Sequence, residues 1–228
     1  MVSLNPKGAK MEELFDPKEA MSVEERKRYL DEKAKWIVAY AYRNCPGAKE
    51  RLDKAMVKPS EINCLYDLGR IPILVKSELL ELQKANPPFG GFLAVPLKTL
   101  RRVFVSPGPL YDALGSPEDL RVAVKAIFAA RFRKGDIVIN TFSYHLVPAG
   151  LMIDEGLKEL GATVIPTGTG NSELQVQIMH DLGVTGYIGT PSFLKSLIDK
   201  AEGKGHDFRR DFKLKRAFFT AEMLTPSL

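Results

Sequence analysis

Cysteine is scarce in this chain, with only Cys45 and Cys64 among 228 residues. Two distant thiols make no disulfide framework and have no metal-ligand spacing, which excludes a stapled secreted fold and a zinc module. Both are expected to pack as small apolar groups. Long hydrophobic runs are missing too: no stretch approaches the roughly 18 consecutive apolar residues that a membrane helix needs. Met1 to Lys10 lack the apolar core of a secretory signal. The expected location is therefore the cytoplasm, with no membrane partner. The Gly-x-Ser-x-Gly elbow, the Walker sequence and the His-Glu-x-x-His zinc motif do not occur. No Gly-x-Gly-x-x-Gly follows the first candidate strand, which argues against a dinucleotide-binding oxidoreductase. Aromatic-interleaved basic motifs, zinc-finger spacing and helix-turn-helix signatures are also missing, so no nucleic-acid partner is expected.

What is present is the composition of a globular protein, 45% hydrophobic and 27% charged with a formal charge of +5. That charge suits an anionic ligand and equally suits a solvated surface. Basic and acidic residues interleave at helical spacing from Glu24 to Lys35, the pattern of an exposed, ion-paired helix face.

Residues 1–95 read as a helical N-terminal region. Ser22 and Glu25 have capping-box spacing, and Leu30, Ala34, Ile37, Val38 and Ala41 recur on one face until Asn44, Pro46 and Gly47 stop the helix. A short helix follows from Pro46 to about Met56, and Ser77 is placed to cap a third through Leu79, Leu80 and Leu82.

Residues 96–228 read as an α/β unit, in which short β-branched runs alternate with amphipathic segments. Arg102 to Val105 is a candidate strand, and Ser116-Pro117 opens a helix with Val122, Ala126, Ile127 and Ala130 facing inward. Strands are expected at Asp136–Asn140, Ala162–Ile165, Val184–Ile188 and Leu214–Phe219, separated by helices at Ala149–Leu160, Ser172–Leu182 and Ser192–Ala201. The fold class is α/β, a largely parallel sheet with helices on both faces and ligands in loops beyond the strand carboxyl ends.

Four loops hold the candidate site residues. Ser106-Pro107-Gly108-Pro109-Leu110-Tyr111-Asp112 is a turn whose prolines remove two backbone N–H groups a phosphate cradle would use. The loop with Phe142, Tyr144, His145, Val147 and Pro148 offers aromatic and apolar groups beside one histidine, suited to a carbon-rich acid. Pro166 to Asn171 is a polar glycine-containing turn leading into a helix start, where anions are favoured. Gly189-Thr190-Pro191-Ser192 has the same strand-to-helix setting. His180 and His206 receive no catalytic role.

Taken in order, these segments resemble the N-terminal domain of the phenylacetate–CoA ligase branch of adenylate-forming (AMP-binding) enzymes, which also includes coenzyme F390 synthetase-like proteins. The similarity runs from about Tyr40 onward. Its most specific stretch is Gly161 to Asn171, followed by Gln175, Gly189 to Phe193, and Ala221-Glu222; upstream, Leu68 to Pro72 with Lys76 and Leu79 resembles the segment ahead of the nucleotide loop.

The resemblance implies that a carboxylic acid reacts with ATP to give an acyl-adenylate, with Mg²⁺ screening the phosphates, and that coenzyme A then displaces AMP. Carried over by position, Phe142, Tyr144, His145, Val147 and Pro148 line the acyl pocket. Gly168, Thr169, Gly170 and Asn171 approach acyl and nucleotide groups. Ala221 and Glu222 pack on adenine, with Glu222 a magnesium ligand. Ser106, Pro107, Gly108 and Pro109 stand where the family has Ser-Ser-Gly-Thr-Thr-Gly-Lys, so the hydroxyls, the second glycine and the lysine are missing. By the same resemblance the chain stops before the ribose-binding acidic residue and the lysine-bearing C-terminal domain, and alone it is expected not to run the complete reaction. No catalytic residue is assigned. A non-catalytic acyl- or CoA-binding module that has lost ATP chemistry is the alternative, and a homodimer is an assembly the sequence leaves open.

Overall fold

A computed structural model describes residues 14–116 and 121–226. The chain divides into two compact units, Met1–Ser116 and Pro117–Leu228. The division falls later than the 95/96 boundary read from sequence because a β-hairpin joins the helical unit.

In the first unit, helix α1 (Val23–Asn44) begins at a complete capping box: Ser22 accepts from the Glu25 N–H, and Glu25 accepts from the Ser22 N–H. Ala34 and Val38 of α1 pack with Leu52 of α2 (Pro46–Lys54) and with Val57 and Ile62. Ile37, expected on the buried face, is 47% exposed, since the core lies beneath its neighbours Ala34 and Val38. Helix α3 (Lys76–Ala85) starts one residue before Ser77, with Val75 at the N-cap and no side-chain cap, so Ser77 lies inside the first turn instead of capping it.

Strands β1 (Arg102–Ser106) and β2 (Leu110–Leu114) form an antiparallel hairpin with Ser106 opposite Leu110. Gln83 of α3, buried, holds β2 in place: its Nε2 donates to the Tyr111 carbonyl at 2.9 Å and its Oε1 accepts from the Tyr111 N–H at 2.9 Å. The side-chain amide thus pairs with both backbone groups of one residue, as a residue of a neighbouring strand would.

The second unit is a four-stranded parallel sheet in the order β4-β3-β5-β6. Its strands are β3 (Ile137–Asn140), β4 (Thr163–Ile165), β5 (Gly186–Gly189) and β6 (Arg216–Phe219); the helices are α4 (Val124–Ala129), α5 (Ala149–Glu159), α6 (Ser172–Asp181), α7 (Pro191–Gly203) and α8 (Phe208–Asp211). Adjacent strand residues serve opposite faces. Val138 and Ile188 pack with Ile127, Ile153 and Leu157 from α4 and α5, whereas Ile139 and Tyr187 pack with Val176, Met179, Leu194 and Leu197 from α6 and α7. Burial on both faces explains why these strands read as continuous apolar runs. The expected opening of α4 at Ser116-Pro117 reaches into positions outside the described residues. Val122, expected to face inward, is 69% exposed because regular α-helix begins only at Val124.

At the amino ends of the strands, Asp136 is the tie. It accepts from the Arg133 N–H at 2.8 Å, from Thr185 Oγ1 at 3.0 Å and from Arg216 Nη1 at 2.6 Å, joining the starts of β3, β5 and β6. The carboxyl ends are left for loops. Because β3 connects to β4 on one side and pairs with β5 on the other, the strand order reverses at β3 and β5. A crevice outside the carboxyl ends at such a reversal is where open α/β sheets bind ligands.

Candidate functional site

That crevice holds a pocket of about 190 Å³ lined by Thr141, Phe142, Thr169, Thr190 and Phe193. The lining comes from the loops after β3, β4 and β5. Its size is below the roughly 300 Å³ at the lower end of ligand pockets, so it suits one ring or a short acyl chain and not a whole nucleotide. Two phenylalanine rings supply apolar wall, and threonine hydroxyls supply the polar groups.

Most of those polar groups are already fixed. Thr141 Oγ1 bonds to the Ile188 carbonyl at 3.0 Å and to the Tyr187 hydroxyl at 3.2 Å, and the Tyr187 hydroxyl donates to the Thr190 carbonyl at 2.9 Å. Tyr187 is fully buried, and burial, aided by the Glu222 charge, pushes its phenol up to about 12. It serves as a neutral strut. This packing leaves no space at Gly189, where a Cβ would collide with Thr141 Oγ1 and the Tyr187 hydroxyl. Thr190 caps α7 through its Oγ1 and the Phe193 N–H at 3.3 Å.

The loop after β3 is anchored by Asn140, which is fully buried. Asn140 Nδ2 donates to the Tyr144 hydroxyl at 2.8 Å and the Gly150 carbonyl at 3.0 Å, and Oδ1 accepts from the Phe142 N–H at 3.2 Å. The Tyr144 hydroxyl donates onward to Asp154 at 3.3 Å, and burial first, then the Asp154 charge, raises its pKa. The loop after β4 turns tightly, with Gly168, Gly170 and Asn171 all in the left-handed region at φ of 66, 82 and 48°, where glycine and asparagine are tolerated best. Buried Gln175 secures it by donating to the Gly168 and Gly170 carbonyls at 3.0 and 2.7 Å.

The residues expected to line an acyl pocket separate accordingly. Phe142 lines the pocket. Tyr144 turns its hydroxyl back to Asn140 and Asp154, and His145 is exposed, its backbone bonded to Ser143 Oγ. Val147 and Pro148 are half-buried and outside the lining. Of the nucleotide set, Thr169 lines the pocket while Gly168, Gly170 and Asn171 shape its loop.

Ala221 and Glu222 are exposed, with Ala221 at φ 69°. Glu222 Oε2 accepts from Ser192 Oγ at 2.5 Å and from the Ser192 N–H at 3.3 Å, placing a carboxylate on the positive end of α7. Magnesium takes near-octahedral oxygen ligation, with one or two carboxylates beside phosphate oxygens. Glu222 Oε2 is committed to Ser192, and no group of three His, Cys, Asp or Glu among the described residues could hold a metal. These residues do not assemble a magnesium site by themselves.

In the helical unit, Ser106, Pro107, Gly108 and Pro109 form one edge and the tip of the β1–β2 hairpin, with the Pro107-Gly108-Pro109 tip exposed. Two of its positions have no N–H and Asp112 follows in β2, a poor fit to a polyphosphate.

Sequence reasoning did not single out Thr141, nor Tyr187 and Asn140 as the supports behind the pocket. The available signal was position: in a parallel strand the last residue and the one after it stand at the ligand end.

No family model matches the chain. Its sequence is 34% identical over 226 residues to the phenylacetate-coenzyme A ligase of Pseudomonas putida, covering 94% of this chain and 49% of that protein. The corresponding ligase of Aromatoleum evansii is 32% identical over 221 residues, with the same two coverages. These matches begin ahead of Tyr40, because they take in 94% of the chain. Among solved structures, an open conformation of 2-hydroxyisobutyryl-CoA ligase in complex with 2-HIB-AMP and CoA superposes with a TM-score of 0.83 at 26% identity, covering 89% of this chain and 45% of that one. The chain spans about half the length of the curated relatives it matches. With a shared fold and sequence similarity along 94% of its length, the chain belongs with the phenylacetate–CoA ligases in the adenylate-forming family.

Proposed function

We propose that the protein containing this chain is an ATP-dependent acid–CoA ligase, and that the parallel-sheet unit seats the acyl end of the adenylate. The observation that carries this is the pocket at the strand-order reversal, walled by Phe142, Thr169 and Phe193, in a chain 34% identical to a phenylacetate-coenzyme A ligase. The acid oxygen bonds to the α-phosphorus of ATP with loss of pyrophosphate, and the coenzyme A thiol then takes the acyl group with loss of AMP. Magnesium, when bound with the nucleotide, screens phosphate charge. What this chain's residues do is bind and orient: Phe142 and Phe193 exclude water from the acyl group, and the loops beside them hold its position. The reading places the protein in the cytoplasm, where ATP and coenzyme A are available, acting on a small aryl or other carboxylic acid. This chain by itself is not proposed to turn over.

Acid-dependent exchange of pyrophosphate into ATP by the whole protein, with a panel of aryl and short-chain acids, tests the reading. Exchange with at least one acid is expected, and none with any acid overturns it.

The double-proline hairpin tip favours a second reading, an acyl- or CoA-binding module without ATP chemistry. Calorimetric titration of the whole protein separates the two: acid or CoA binding with no Mg-ATP binding supports the module, and clear Mg-ATP affinity removes it.

A further inference from the structure

Asn140 is a buried side chain that bonds to the backbone of the pocket wall at Phe142 and also reaches past it to Tyr144 and Gly150. Fully buried, it has each side-chain polar atom engaged: Oδ1 with the Phe142 N–H, Nδ2 with the Tyr144 hydroxyl and the Gly150 carbonyl. Its backbone carbonyl accepts from the Gly168 N–H at 3.1 Å and from Thr167 Oγ1 at 3.2 Å. The side chain therefore holds the loop that carries Phe142, and the main chain holds the loop that carries Thr169. These are two walls of the same pocket. The division matters, because a substitution at Asn140 releases the first wall and leaves the second in place.

We infer that Asn140, braced by Tyr144, is a positioning residue that sets the Phe142 wall and thereby the protein's discrimination between aryl and short-chain acids. The inference rests on the ligase reading above and goes beyond it by naming what fixes the acyl specificity. Asn140 is not a catalytic residue; it acts through Phe142. An aryl acid fills the space up to Phe142 and feels a displacement of that ring, whereas a short-chain acid does not reach it. Misplacement of a binding group by about 1 Å is enough to cost up to about a hundred-fold in rate, and loss of a single contact surface costs less.

The test uses the whole protein and two substitutions. Asn140→Ser removes the amide that spans the loop, and Tyr144→Phe removes only one hydroxyl while keeping the ring, so it stays folded if the first does not. Pyrophosphate exchange is measured with phenylacetate and with propionate, and the KM for each acid and for ATP is separated from kcat. In Asn140→Ser the KM for phenylacetate is expected to rise about ten-fold with propionate and ATP within about two-fold. Tyr144→Phe is expected to show the same selectivity at about two- to three-fold.

An equal rise in KM for both acids, or no rise for either in Tyr144→Phe and in folded Asn140→Ser, overturns the positioning role while leaving the ligase reading intact. Where Asn140→Ser loses folded protein, seen as a uniform fall in kcat at unchanged KM, Tyr144→Phe decides. Should the wild-type protein show no exchange, calorimetric titration with the same two acids takes its place. A selective loss of phenylacetate affinity in the variants then supports the positioning role although the ligase reading has failed, and an equal loss for both acids overturns it. Wild-type protein that neither exchanges nor binds either acid overturns both.

Discussion

The tip of the β1–β2 hairpin and the loops at the carboxyl end of the parallel sheet draw on the same residue types, proline, glycine and small hydroxyl residues, yet they are built in opposite ways. At the hairpin, Pro107, Gly108 and Pro109 are exposed, and order comes from the strands below, with Gln83 gripping Tyr111. At the sheet, exposed Thr169 and Gly170 sit over a buried polar layer in which Asn140, Thr141, Gln175 and Tyr187 each bond to loop or strand-end backbone. Glycine content does not make a loop a binding site. A buried polar layer that fixes the loop suits it better to binding, because a positioned wall loses little entropy when a ligand docks.

The largest test of this contrast is Gly189→Ala. A methyl group there meets Thr141 Oγ1 and the Tyr187 hydroxyl, and both belong to the polar layer. Overpacking a core costs about 1 to 3 kcal/mol, and displacing two bonded hydroxyls adds about 1 kcal/mol or more. A loss of about 3 kcal/mol is expected in urea denaturation. A loss under about 0.5 kcal/mol, the range of ordinary surface substitutions, would mean that the layer yields easily and cannot be what positions the loops.

Gln83→Ala is the counterpart in the helical unit. It strands the N–H and carbonyl of Tyr111, each bonded at 2.9 Å. An unsatisfied buried group costs about 1 to 3 kcal/mol, and partial solvent access at this site lowers the expected loss to about 2 kcal/mol. Hydrogen exchange should show faster exchange in β2 with the parallel sheet unaffected. Equal acceleration in both units would break the description of two separately held regions.

Much of the framework was legible from sequence because it depends on local pattern. Ser22 and Glu25 announce α1 by spacing alone, and Ile137-Val138-Ile139 and Tyr187-Ile188 announce strands buried on both faces. The misses are equally local in cause. Leu110–Leu114 does not read as a strand in the sequence, since Tyr111 and Asp112 interrupt its apolar pattern and Pro-Gly-Pro precedes it. Val122 fits the α4 periodicity but precedes the first regular turn. The site was legible only as a set of strand-end loops. Its supports join residues far apart in the chain, Thr141 with Tyr187 across 46 positions and Asn140 with Thr167 across 27, and no single-sequence pattern encodes such pairs.

Alkaline pH probes the polar layer without a substitution. Tyr187 titrates near 10 when unfolded and is pushed to about 12 by burial. Its raised value means that the stabilising contribution is complete below pH 10 and is lost as pH climbs toward 12. At about 1.4 kcal/mol per unit, reduced because Thr141 still donates to the ionised Tyr187 oxygen, the expected loss over that window is about 1 to 2 kcal/mol. Tyr187→Phe should flatten the alkaline limb of the stability profile. An unchanged limb in that variant would assign it to other groups, such as Tyr144, whose pKa is also raised.

The smallest effect on stability, and the one that bears on chemistry, is expected at the hairpin tip. Replacing Pro107 with Thr and Pro109 with Gly restores two backbone N–H donors and a hydroxyl at an exposed turn, where surface substitutions stay within about 0.5 kcal/mol. Removing proline constraints loosens the unfolded chain and accounts for most of that small loss. If the missing donors are what weakens nucleotide contact, Mg-ATP affinity in the whole protein should rise by about 1 kcal/mol for the restored bonds, close to five-fold, with acid affinity unchanged. Unchanged Mg-ATP affinity would show that Asp112, still present in β2, or the lack of a lysine sets the limit. An Asp112→Lys substitution in the same background separates those causes, because it exchanges a repelling charge for an attracting one without altering the turn.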